Sequence, residues 1–129
     1  MQDSIRTLLR RIRATTGKRE ALLPWQIVEV SGPSMVPTLR AGDRVLVRHG
    51  ASVHPGDVVL ARFPALPDRL VVKRAVRPAG GGWWLASDNG FARGDSATYG
   101  AGAVVARAVL VLPAEGRPRR LRRAPDAAP

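Results

Sequence analysis

The chain contains no cysteine. That absence excludes disulfide staples, thiol nucleophiles and thiolate metal sites together. Aromatic residues make up only 5% of its 129 residues. A sugar cleft would need more, so Asp88 and Asp95 do not suggest paired-carboxylate glycosidase chemistry. No stretch approaches the roughly 20 apolar residues that cross a bilayer; the longest apolar run, Ala101 to Ala114, is interrupted by Arg107. The first residues lack the apolar core of a secretory signal. No phosphate-cradling glycine loop leads into a helix. His49, His54 and Asp57 match no common metal spacing, and neither metal nor cofactor is expected.

What is present is a hydrophobic fraction of 45%, ordinary for one globular core, and a net charge of +11. The charge is concentrated in two arms, residues 1–20 and 117–129, which together hold +8 of it. Such arms attract nucleic acid, anionic lipid or acidic protein. In 1–20, Ile5, Leu8, Leu9 and Ile12 recur at helical spacing between arginines, with Ser4 as N-cap and Gly17 as stop. This predicts a short basic amphipathic helix and linker, able to dock on the core or lie on an anionic membrane surface. From Pro113 the chain is rich in proline and arginine, and 114–129 is expected to be a disordered basic tail.

Between the arms, 21–113 reads as a single domain. Gln26–Val30, Arg44–Arg48, Asp57–Phe63, Arg69–Val76, Gly82–Ala86 and Ala103–Leu112 are short runs rich in valine or aromatics. Ala41-Gly42-Asp43 and Pro55-Gly56-Asp57 are turns leading straight into strands, and Gly80-Gly81-Gly82 marks a hairpin. Six strands without a second helical segment predict a mainly β core.

Two residues within that core suggest chemistry. Ser34 sits in Ser31-Gly32-Pro33-Ser34-Met35-Val36-Pro37-Thr38, where glycine and two prolines deny strand pairing and force a bend. A serine on such a bend can expose its hydroxyl and aim backbone N–H groups outward, as an acyl-transfer nucleophile and oxyanion hole require. Lys73 is one of only two lysines among 21 basic residues. It interrupts Leu70-Val71-Val72-Lys73-Arg74-Ala75-Val76, a run expected to be buried. Arginine keeps its proton in proteins, whereas a desolvated lysine can drop far below its ordinary value of about 10.4 and act as a base. A Ser–Lys dyad is a working variant of the nucleophile–base pair. A lysine snorkelling from an edge strand is the plainer alternative.

Three blocks in order then resemble the signal peptidase I family of Ser–Lys proteases. They are Gly32-Pro33-Ser34-Met35-Val36-Pro37-Thr38-Leu39 with Gly42-Asp43; Val71-Val72-Lys73-Arg74; and Ser87-Asp88-Asn89 with Asp95-Ser96 and Tyr99-Gly100. The resemblance covers about 26–112 and implies a signal-peptidase-like β-sheet protease core. It assigns Ser34 as nucleophile, Lys73 as base and the Ser34 N–H as an oxyanion donor, with Asp88, Asn89, Asp95 and Ser96 bracing the site. The implied substrate is an extended peptide of a precursor protein.

Three features depart from the family. No transmembrane anchor is expected, since no apolar run here is long enough; Gly32 stands where some members have a second oxyanion serine; and Arg93 stands where a serine often touches the lysine. Brevity, the basic tail and Trp83-Trp84 before the Asp-Asn block resemble, within the family, nickel-type superoxide dismutase maturation proteases, which remove a short N-terminal leader. The expectation is a cytoplasmic enzyme, peripheral at the inner face of the membrane where residues 1–20 touch it. General signal-peptide removal is the alternative. A self-cleaving repressor of the SOS type would need more than 33 residues before Ser34, and a non-enzymatic basic module would bind nucleic acid or membrane through the arms.

Overall fold

The computed structural model describes residues 24–124, together with the backbone of three short strands before them, β1 (Ile5–Arg6), β2 (Arg13–Thr16) and β3 (Arg19–Leu22). The strands that follow are β4 (Trp25–Val30), β5 (Arg44–His49), β6 (Val58–Arg62), β7 (Val71–Ala79), β8 (Gly82–Ala86), β9 (Ala103–Leu112) and β10 (Arg119–Arg120). One helical turn, α1 (Ser96–Tyr99), precedes β9. The mainly β expectation holds, with strand boundaries close to those read from the valine-rich runs. In residues 1–20, where the basic helix is expected, Ile5–Arg6 pairs with Val30 and Glu29 as a strand and Arg13–Thr16 pairs with Arg19–Leu22; the other residues of that segment lie outside the described residues.

All pairing in the main sheet is antiparallel, in the order β1-β4-β5-β9-β6-β7-β8, with β10 added to β9. A bridge from Trp83 to Gly102 returns β8 to the start of β9. That crossing needs glycine, because a Cβ on Gly82 would lie 2.4 Å from the Gly102 carbonyl oxygen. Two apolar clusters result. Val28, Met35, Leu39, Val45, Val47, Leu60, Val72 and Val111 form one, and Val59, Ala61, Phe63, Val71, Ala75 and Leu85 the other. Period-two alternation along β6 and β7 feeds both clusters from opposite faces. Burying each valine or leucine contributes on the order of 1.5–3 kcal/mol.

The tail departs from expectation. From 114 to 124 the chain is seated on the sheet: β10 pairs with Val111 and Leu110, Leu121 packs against the first cluster, and Arg123 pairs with Asp57 at 2.8 Å. Composition predicted a solvated tail because its arginines have no partner nearby in sequence. Arg119 and Arg123 find theirs in distant segments, the Thr38 carbonyl and the Asp57 turn carboxylate.

Candidate active site

The bend carrying Ser34 runs from Gly32 to Leu39. It closes through Val36 N–H to the Pro33 carbonyl at 3.1 Å and Leu39 N–H to the Met35 carbonyl at 2.9 Å. Gly32 has φ 86°, a left-handed backbone suited to glycine, and the Val36–Pro37 bond is cis. Met35 and Leu39 point into the first cluster and anchor the bend, and Ser34 is 5% exposed. Asn89 grips the bend twice: its N–H donates to the Ser34 carbonyl at 2.8 Å, and its side-chain amide donates to the Pro33 carbonyl at 3.1 Å.

Lys73 lies in β7 opposite Val59, on the strand face it shares with Val71 and Ala75. It is 0% exposed. Its Nζ donates to Ser87 Oγ at 2.9 Å. Ser87 and Asn89 flank a single residue, so one short segment after β8 holds both the lysine amine and the serine bend. The structure therefore ties both the Ser34 bend and the Lys73 amine to the 87–89 segment.

Ser87 was not singled out by sequence, although it opens the third block. What puts it there is a bulge. The β7–β8 hairpin begins with Ala79 opposite Gly82 and Arg77 opposite Trp84, a register that would carry on to set Asp88 across from Lys73. Between Ala75 and Arg77 the register shifts by one, so Ala75 faces Leu85 and Arg74 faces Ala86. A one-residue shift moves each side chain to the other face. Ser87 thereby joins the lysine face and Asp88 the Arg74 face. Arg93, the position where the family resemblance suggests a lysine contact, is exposed instead.

Arg74 spends all five of its N–H donors on the far face. Asp88 accepts from Nε at 3.1 Å and from Nη2 at 2.5 Å, Thr38 Oγ1 lies 3.5 Å from Nη2, and the carbonyls of Gly56 and Arg122 accept from Nη1 at 2.9 and 3.4 Å. Thr38 itself donates to Asp88 at 2.5 Å. Asp88 thus ties the end of the serine bend to β7. Asp95 caps α1 through Ala97 N–H at 3.0 Å and accepts from Ser87 N–H at 3.4 Å. Buried Ser96 accepts from Leu85 N–H at 2.7 Å. Both brace the strand end that carries Ser87.

The remaining candidates lie elsewhere. His49 meets Gln26 at 2.7 Å, and His54 lies beside Arg123 and Asp57. Among the described residues no group of three or more His, Asp or Glu is placed to hold a metal. Trp83 packs into the second cluster, while Arg77 stacks over Trp84 at 4.9 Å. No helix among the described residues is long and apolar enough to cross a membrane.

A stretch of 55 residues is 40% identical to mitochondrial inner membrane protease subunit 1 of Xenopus tropicalis, covering 40% of this chain and 33% of that protein. Another 98-residue alignment is 34% identical to mitochondrial ATP-independent inner membrane protease subunit 1a of Arabidopsis thaliana, covering 55% of this chain and 58% of that protein. The chain thus spans about a third and somewhat over half of the lengths of these relatives. Residues 18–105 match the Peptidase S24-like family. Two thirds of the sequence, including Ser34, Lys73 and the 87–96 segment, fall within that match, and the chain belongs to the Peptidase S24-like family.

Proposed function

We propose that this chain is a serine endopeptidase with a Ser34–Lys73 dyad that trims a leader from a precursor protein. The observation that carries the reading is the fully buried amine of Lys73, held by Ser87 two residues from the Asn89 that fixes the Ser34 bend. Taking an ammonium out of water is costly, so burial favours the neutral amine that a base must be. Ser34 Oγ attacks the scissile carbonyl carbon while Lys73 Nζ takes its proton. The Ser34 N–H, on a bend next to left-handed Gly32, faces the developing oxyanion. Collapse of the tetrahedral intermediate breaks the C–N bond, and Lys73 returns the proton to the leaving amine. Water, deprotonated by the same amine, then hydrolyses the acyl-enzyme.

The narrower assignment within this reading is maturation of a nickel-type superoxide dismutase precursor. It is supported by the short sequence resemblance around Trp83-Trp84 and the third block. The named relatives are inner-membrane proteases, which favours the alternative of leader removal at a membrane surface, with residues 1–20 making contact. Mass spectrometry after incubation with each class of precursor separates the two. The dismutase precursor is expected to lose its leader in solution, and only with unsubstituted Ser34. Cleavage confined to membrane-inserted precursors would favour the alternative, and cleavage undiminished in Ser34→Ala would remove the dyad itself.

A further inference from the structure

The segment 114–124 makes contacts that converge on the back of the site. Ala114 N–H donates to Asp43 Oδ1 at 3.3 Å, and Leu121 N–H to the Val109 carbonyl at 2.9 Å. Arg119 Nη2 donates to the Thr38 carbonyl at 2.6 Å. The Arg122 carbonyl accepts from Arg74. Arg123 Nε pairs with Asp57 at 2.8 Å, and its Nη2 lies 2.9 Å from His54 Nδ1. Finally Ala124 N–H donates to the Gly56 carbonyl at 3.0 Å, the same oxygen that Arg74 uses. The seat is shaped for the segment: Gly56 has φ 93°, and a Cβ there would lie 2.9 Å from the Ala124 carbonyl oxygen.

These contacts do not spread evenly over the sheet. Arg119 holds Thr38, four residues after Ser34, and the Arg122 carbonyl holds Arg74, next to Lys73. The turn gripped by Arg123 and Ala124 is itself bonded to the bulge. Gly56 N–H donates to the Ala75 carbonyl at 2.7 Å, and Ala75 N–H donates to the Asp57 carbonyl at 2.8 Å. That bulge decides whether Ser87 or Asp88 faces Lys73.

We propose that residues 114–124 are a positioning strap of the active site, which fixes the β7 bulge through the Pro55–Asp57 turn and the serine bend through Thr38. The inference rests on the dyad reading for its kinetic consequence, but its structural claim stands apart from it. Displacing a reacting group by about 1 Å can cost on the order of 10²-fold in rate. Loss of the strap therefore lowers kcat while leaving substrate affinity nearly unchanged.

The test compares the full chain with Arg119→Ala/Arg123→Ala and with a chain ending at Arg117, each with and without a synthetic peptide of residues 114–124. The double variant is expected to lose about 10–100-fold in kcat with KM within about twofold. Arg123→Lys, which keeps the cation beside Asp57, retains most of the activity, and the peptide restores part of the shortened chain's kcat. Amide hydrogen exchange provides a readout independent of catalysis: residues 73–76 and 87–89 exchange faster in the double variant than in the full chain. Unchanged exchange there, or full kcat in a folded double variant, overturns the strap. A full chain that cleaves no precursor, alongside accelerated exchange in the variant, overturns the dyad reading and leaves the strap standing. Should the shortened chain fail to fold, the double variant decides.

Discussion

The two faces of β7 place neighbouring basic residues in opposite surroundings. Lys73 points among Val59, Val71 and Ala75 and meets a hydroxyl; Arg74 points to a carboxylate, a threonine and two carbonyls. One face suits a base that must give up its proton, the other a cation that never does. The chemistry of each residue follows from its face. A single bulge keeps the faces distinct, because the unbroken hairpin register would bring Asp88 to the lysine. A carboxylate there would hold the amine as an ammonium.

Exchanging the features of these faces gives effects of decreasing size. Lys73→Met supplies an apolar side chain of similar volume. Cleavage is expected to fall by roughly 10³-fold or more, while thermal unfolding shows stability equal to or above that of the parent, as when buried charged groups are replaced by well-packed apolar ones. Deleting Ala86, which faces Arg74, shortens β8 by one residue beyond the bulge and moves Asp88 across from Lys73. In that variant the rate is expected to fall on the order of 10²-fold near neutrality. What activity remains should shift to higher pH, since the opposite charge raises the amine pKa and the base works only when neutral. Asp88→Asn leaves the Arg74 guanidinium without its counter-charge and should cost about 2 kcal/mol in denaturant unfolding, with a smaller rate loss transmitted through Thr38. Ser87→Ala frees the amine from its hydroxyl partner. A kcat loss of about tenfold is expected there, with KM and melting temperature near those of the parent.

Much of this was legible in the amino-acid order. Valine alternation bounded by Gly-Asp turns located β4 to β9, because side-chain burial in a sheet repeats every two residues. The glycine–proline context exposed Ser34, and the rarity of lysine in an arginine-rich chain drew attention to Lys73. Two features escaped. Ser87 could be found only by pairing β7 with β8, and a bulge without glycine or proline leaves no mark in either strand; only the Ser-Asp-Asn order hinted that two side-chain types alternate between faces. The seat of 114–124 escaped because composition reports how a segment behaves alone. Asp43 and Asp57 share one local geometry, each accepting the N–H three residues earlier at 3.0 and 2.8 Å. Each also offers a second oxygen to that distant segment, so a repeated turn motif was the available clue.

The charge state of Lys73 tests the central claim most directly. NMR titration of its side-chain resonances in the folded chain, run beside the pH profile of precursor cleavage, follows the proton itself. The amine is expected to be neutral wherever the chain cleaves, with its deprotonation and the rise in kcat/KM tracking one another. An ammonium that persists into the ordinary lysine range near about 10.4 while cleavage proceeds undiminished at lower pH would contradict the account.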